Sequence, residues 1–201
     1  MRLLLLFLML YFSGFNEQKP VHILFVGNSL TYTNNLPKLV ELESRKHGLK
    51  VKTKMLAFPN YALQDHWEDG ELQKYIQTGK FDYVIVQQGP SSQREGKEML
   101  LESGRLIKRL CAQSGSELVY LMVWPSRSYY HTFDGVIANH RTAAESNQAM
   151  LIPVGEVWKD HFESTGDYSY YSSDGFHPSL RGSQVAAQLI SAQLFNSKAT
   201  D

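Results

Sequence analysis

The chain has 201 residues, 43% apolar and 12% aromatic, with 20 basic residues set against 20 acidic ones. That size and balance fit one globular domain with a full hydrophobic core and exclude a disordered chain. Cancelling charge without a basic block argues against nucleic-acid binding, and a single cysteine, Cys111, excludes an internal disulfide or a thiolate metal cluster.

Met1-Arg2 is followed by an unbroken apolar run from Leu3 to Phe12, then by Ser13-Gly14 and the polar stretch Asn16 to Pro20. One positive charge before a short apolar run reads as a secretory signal peptide, with an uncleaved N-terminal anchor as the competing reading, over residues 1–19. The run is too short to span a bilayer as a helix. The expectation is therefore a single domain over residues 20–201, secreted or periplasmic, with no stable membrane span once the signal is removed.

From Val21 onward, short apolar runs alternate with longer amphipathic ones. Val21 to Val26 reads as a buried strand, Leu36 to His47 as a helix, and Val51 to Ala57 as an alternating strand. Glu71 to Gln77 is a short helix, and Tyr83-Val84-Ile85-Val86 is a β-branched core strand. Glu95 to Gln113 repeats apolar residues at helical spacing, with Cys111 as a small buried residue on that face. Leu118 to Val123 is a further strand, Gly135 to Met150 a helix, Leu151 to Val154 a short strand, and Leu180 to Phe195 a final helix. Strands apolar on both faces and separated by helices predict a parallel sheet covered on both sides. The fold class is thus α/β, a three-layer α/β/α sandwich of flavodoxin-like type with about five parallel strands.

In such sheets ligands gather outside the carboxyl ends of the strands. Ser29 follows the first strand, Asn60 the second, Gln88 to Ser92 the third and Trp124 the fourth, and Asp174-Gly175-Phe176-His177-Pro178 precedes the last helix. A serine after a strand is ordinarily a cap or turn residue, so Gly27-Asn28-Ser29-Leu30 alone decides little. An Asp three residues before a His, however, can orient the imidazole through Nδ1 while Nε2 faces a serine. Alcohol, imidazole and carboxylate are what nucleophilic acyl transfer needs. Ser29, His177 and Asp174 are the candidate catalytic residues.

These blocks resemble those of the SGNH hydrolases, the GDSL-type esterases and lipases, whose first block is Gly-Asp-Ser-Leu and whose last is Asp-x-x-His. Here Asn28 replaces the Asp, and the run Gly-Asn-Ser-Leu-Thr-Tyr is similar to a bacterial subgroup of that superfamily. The resemblance covers residues 21–196. It implies a flavodoxin-like sandwich with Ser29 as nucleophile, His177 as general base and then acid, and Asp174 as the orienting carboxylate. The middle blocks depart from the pattern. The second block's glycine is missing from Phe58 to Leu63, where Asn60 is the nearest residue tolerant of positive φ. The third block's Gly-x-Asn-Asp is replaced by Gln87-Gln88-Gly89-Pro90-Ser91-Ser92. The expected oxyanion hole is Ser29 and Asn60, with Gln88 (or Gln87) and Ser91 in place of the missing Asn.

Trp124, Tyr32 and Tyr129 are expected to contact substrate. For Trp124, as for His66-Trp67, buried aromatic packing is the competing reading. No His or carboxylate spacing implies a metal, and no cofactor is expected. The resulting expectation is an exported serine esterase that removes a small acyl group from a carbohydrate-type or similar ester, the substrate being a small molecule or glycan. The altered blocks leave a non-catalytic glycan-binding protein as the alternative. A flavodoxin-like cofactor binder is disfavoured because no glycine-rich phosphate loop follows the first strand.

Overall fold

A computed structural model describes residues 19–196 of the chain. The segment read as a signal peptide or anchor lies outside these residues, apart from Lys19.

The apolar runs become strands because branched and aromatic side chains suit a pleated surface buried on both faces. They are β1 (Val21–Gly27), β2 (Val51–Ala57), β3 (Tyr83–Val86), β4 (Glu117–Leu121) and β5 (Met150–Ile152). All pair in parallel in the order β2-β1-β3-β4-β5. Eight α-helices alternate with them: α1 (Ser29–Tyr32), α2 (Leu36–Lys46), α3 (Leu63–Glu68), α4 (Glu71–Thr78), α5 (Arg94–Ser114), α6 (Phe133–Ser146), α7 (Val154–Thr165) and α8 (Leu180–Asn196).

Successive strand residues point to opposite faces, so the sheet splits the core in two. Ile23 and Phe25 pack with Val40 of α2, Trp158 and Phe162 of α7 and Ile190 of α8. Leu24 and Val26 pack with Leu63, Leu72, Ile76, Ile107 and Cys111 on the other side. Three layers result, as the alternation of elements predicts. Burial pushes the Cys111 thiol up to about 12, so it is an inert core group. Among the described residues, no helix is long and apolar enough to cross a membrane.

Several boundaries differ from expectation, two of them for a clear physical reason. The helix foreseen from Gly135 to Met150 stops at Ser146, because Gln148 takes φ 46° and Met150 joins β5. Val154 opens α7 rather than closing β5, since Pro153 cannot donate to a strand ladder. The fourth strand ends at Leu121, although Met122 N–H still donates to Ile152 O at 3.0 Å.

From β1 the chain crosses to β2 on one side and then returns to β3 on the other. The order therefore reverses between β1 and β3, and the crevice beyond their carboxyl ends is where such a sheet binds ligands. Val26 pairs with Val86, so Asn28-Ser29 and Gln87-Gln88 emerge side by side.

Candidate active site

Ser29 owes its position to the residues around it. Asn28 caps α1: its Oδ1 accepts from Leu30 N–H at 3.1 Å, and its backbone carbonyl accepts from Thr31 and Tyr32 N–H at 2.9 and 3.1 Å. The Asn28 N–H donates to Gln87 Oε1 at 3.1 Å, and Gln87 Nε2 donates back to Asn28 Oδ1 at 3.1 Å. Thr31 Oγ1 donates to the same Gln87 Oε1 at 2.8 Å. Gly27, the last residue of β1, has no positive φ. Its role is spatial: a Cβ there would lie 2.5 Å from Gln87 Oε1 and nearer still to Thr31 Oγ1. The Gly27 carbonyl accepts from Phe58 N–H at 3.1 Å and from His66 Nε2 at 2.7 Å. His66 is thus a buried strut rather than a pocket residue. Desolvation lowers its pKa, so it serves as a neutral ring carrying its proton on Nε2.

The partner groups come from the turn before α8. His177 Nε2 lies 2.9 Å from Ser29 Oγ, and His177 Nδ1 lies 2.6 Å from Asp174 Oδ2. Asp174 Oδ1 accepts from Ser172 Oγ at 2.7 Å and from the Phe176 and His177 N–H groups at 2.8 and 2.9 Å. Desolvation pushes the Asp174 carboxyl upward, but these four donors outweigh it and hold the pKa well below the usual carboxylate range. The carboxylate therefore stays charged throughout the neutral range and fixes the His177 tautomer with Nδ1–H toward Asp174. Nε2 is left free to take the serine proton.

This turn is pinned from several sides. Gly175 has φ 68°, Ser172 N–H donates to His177 O at 2.8 Å, and Arg127 N–H donates to Gly175 O at 2.7 Å. Trp124 Nε1 donates to Phe176 O at 3.0 Å, and Asn34 Nδ2 donates to Pro178 O at 3.0 Å. Asn34 and Trp124 thereby tie the histidine turn to the segments that follow α1 and β4. Sequence reasoning missed Asn34; its signal was the Asn34-Asn35 pair, both left-handed, at φ 56° and 52°.

The four residues expected to form an oxyanion hole differ in how they are hydrogen-bonded. Phe58-Pro59-Asn60-Tyr61 forms a turn with Tyr61 N–H on Phe58 O at 3.4 Å and φ 62° at Asn60. Proline followed by a left-handed Asn is the signature of a type II turn, so Asn60 takes a backbone conformation that glycine favours. Ser29, as the first residue of α1, has an N–H without an intrahelical acceptor. Both residues line a cavity of about 370 Å³.

Gln88 and Ser91 must be corrected. Both Gln88 amide protons are committed, to Ser91 Oγ at 2.7 Å and Gly96 O at 3.0 Å, while Leu63 N–H donates to its Oε1 at 3.3 Å. The Ser91 hydroxyl spends its proton on Gly89 O at 3.0 Å. Gln87 is likewise consumed by Asn28. These side chains brace the loop beside the site; Gln88 and Ser91 have no donor left for an oxyanion.

The substrate residues divide similarly. Trp124 is 3% exposed and stacks on Trp158 at 3.5 Å, so it is a loop anchor, not a contact residue. Tyr32 is exposed one helical turn past Ser29 and lines none of the cavities beside the site. Tyr129 is 64% exposed and lines a neighbouring cavity of about 540 Å³. Among the described residues, no cluster of three or more His, Cys, Asp or Glu side chains could hold a metal. What the arrangement offers is a hydroxyl that can lose its proton as it attacks a carbonyl, with two backbone N–H groups beside it.

No protein-family model matches the chain, and comparison with curated proteins gives no match. Solved structures do match. A protein from Slackia heliotrinireducens, assigned as an SGNH hydrolase, superposes with a TM-score of 0.73 at 21% identity, over 88% of this chain and 100% of its own. A lipase/acylhydrolase from Enterococcus faecalis gives 0.72 at 15% identity, over 88% and 96%. An acetyl xylan esterase from Geobacillus stearothermophilus gives 0.62 at 14% identity, over 89% and 96%. The chain has the fold shared by SGNH and GDSL-type hydrolases.

Proposed function

We propose that this protein is an exported serine ester hydrolase that removes a small acyl group from a carbohydrate-type ester through an acyl-enzyme. The observation that carries the reading is His177 poised between Ser29 at 2.9 Å and Asp174 at 2.6 Å. Ser29 Oγ attacks the acyl carbon while His177 Nε2 takes its proton. The resulting oxyanion lies against the Ser29 and Asn60 N–H groups, and the Asp174 carboxylate stabilises the imidazolium. His177 then protonates the departing alcohol oxygen, leaving the acyl group on Ser29. A water, deprotonated by the same imidazole, releases the acid and regenerates the serine. The small cavity around Ser29, walled by Ala62, Gly96 and Met99, supports a short acyl group. The charged and apolar N-terminal pattern supports export.

The test is to expose the protein and its Ser29→Ala variant to a fluorophosphonate and to p-nitrophenyl acetate. Wild type is expected to be labelled at Ser29 and to turn over; the variant should do neither. Turnover that survives in Ser29→Ala refutes the assignment. An unlabelled wild-type protein that still binds glycans would instead be a binding protein on this scaffold.

A further inference from the structure

We infer that the alcohol half of the ester binds in the cavity beside Tyr129 and Phe176, and that this cavity suits a neutral, polyhydroxylated ring. The inference rests on the esterase reading above and assigns the two halves of its substrate to different walls of the site.

The first step is direction. The acyl carbonyl oxygen must face the oxyanion donors, so the acyl carbon lies toward Ser29 and Asn60, in the cavity of about 370 Å³. The leaving oxygen must meet His177 Nε2, the only group placed to return a proton to it. The alcohol therefore exits along the Asp174–His177 turn. Two cavities open on that side: one of about 480 Å³ lined by Arg127, Ser172 and Asp174, which shares no residue with the Ser29 cavity, and a second of about 540 Å³ that shares Pro90 and Phe176 with it. The Phe176 ring stands between the Ser29 cavity and this second one, and its backbone is fixed by Trp124 Nε1 on Phe176 O at 3.0 Å. A single ligand bonded at Ser29 that extends past Phe176 would enter this second cavity.

The second step is chemistry. Its walls alternate apolar surfaces, from Pro90, Pro125, Phe176 and Tyr129, with the side chains of Ser92, Ser126 and Gln93. No Lys, Arg, Asp or Glu lines the second cavity, and its remaining polar lining is Thr132 and the imidazole of His131, so it holds no permanent charge to pair with a phosphate, a carboxylate or an ammonium group. A long acyl chain or a sterol alcohol would leave the hydroxyl and amide groups desolvated and unpaired. A pyranose has C–H faces for the rings and hydroxyls for the polar groups.

The third step is Tyr129 itself. Its backbone is held by Tyr129 N–H on Ser126 O at 2.9 Å and by Thr132 Oγ1 on Tyr129 O at 2.8 Å, yet the residue is 64% exposed. A fixed backbone presenting an uncovered aromatic ring is a platform that loses little freedom when a ring stacks on it.

The experiment compares wild type with Tyr129→Ala on two acetyl esters, methyl acetate and a mono-acetylated methyl pyranoside. p-Nitrophenyl acetate is avoided because its aryl group would enter the same cavity. Tyr129→Ala is expected to lower kcat/KM on the sugar ester about tenfold, mainly through KM, and to leave methyl acetate within about twofold. Equal losses on both esters, or none on either, overturn the inference while leaving the esterase reading standing. Saturation-transfer NMR of the unacetylated methyl pyranoside on Ser29→Ala supplies a readout independent of turnover. Contacts that disappear when Tyr129→Ala is added support the cavity assignment, and their absence from Ser29→Ala overturns it. If no ester turns over and Ser29 resists labelling, the esterase reading falls and the NMR result alone decides the cavity.

Discussion

Gly27→Ala tests the local logic of the nucleophile turn. The new Cβ would lie 2.5 Å from Gln87 Oε1 and nearer still to Thr31 Oγ1, well inside van der Waals contact. Gln87 Oε1 accepts from Asn28 N–H and Thr31 Oγ1, and Asn28 and Thr31 are only 6% and 1% exposed. If Gln87 withdraws, both donors are left buried without an acceptor, at about 1–3 kcal/mol each, so the expected destabilisation is roughly 2–6 kcal/mol. Against a domain stability of about 5–15 kcal/mol the variant should still fold. Urea unfolding should give a lower midpoint with an unchanged slope. Because the same bonds fix Ser29 against His177, turnover should fall on the order of 100-fold. Gly89→Ala is the stability control, since its Cβ meets nothing within 4 Å; it should stay within about 0.5 kcal/mol. A Gly27→Ala protein matching wild type in both midpoint and turnover would refute the argument that this glycine is required for space.

Two further expectations address groups away from the reacting atoms. His140 is buried, its pKa lowered by desolvation from 6.5 to about 4. The unfolded chain therefore takes up a proton that the folded one refuses, and stability should fall as pH drops from about 6.5 to about 4, by on the order of 3 kcal/mol. His66 shifts in the same direction, so His140→Leu should flatten rather than abolish the slope between urea titrations at neutral and acid pH. An unaltered slope would contradict the assignment. Trp124→Phe keeps an aromatic ring against Trp158 but removes the donor to Phe176 O; kcat should drop about tenfold with KM nearly constant, as a positioning role predicts. A rise in KM alone would return Trp124 to the substrate pocket.

The sheet was legible because its strands are short and either continuously apolar and branched, as Tyr83 to Val86, or alternating, as Val51 to Ala57; both of these match residue for residue. Asp174 and His177 were legible for a local reason, since an i, i+3 pair on a turn carries its own geometry. The helices α3 and α7 escaped notice because α3 has six residues and the apolar spacing of α7 rests on little beyond Trp158 and Phe162. Side-chain roles set by distant partners were the hardest to read. Trp124 finds its acceptor 52 residues away, and Asn34 reaches 144 residues to Pro178. Gln88 shows the limit differently. Its amide has the chemistry an oxyanion hole needs, but Ser91 Oγ from its own loop and Gly96 O from the first turn of α5 have already used both protons.

Taken one at a time, Asn28, the absent glycine near Asn60, and the Gln87-Gln88 pair look like separate losses from a hydrolase pattern. Their bonds join them into one arrangement. Asn28 Nδ2 donates to Tyr61 O at 3.0 Å, a bond no carboxylate could make, and so holds the turn that carries Asn60. Asn28 exchanges two further bonds with Gln87 at the end of β3. Gln88, the next residue, accepts from Leu63 N–H just beyond the same turn. An Asp at position 28 would set its oxygen against the Tyr61 carbonyl, while the amide links all three blocks. The Gln88 amide is spent on that scaffold; under the proposed mechanism the oxyanion then falls to the Ser29 and Asn60 backbone N–H groups. A missing third donor costs about 3 kcal/mol of transition-state stabilisation; the rearranged blocks therefore bear on the rate of acyl transfer and leave the serine–histidine–aspartate relay as it stands.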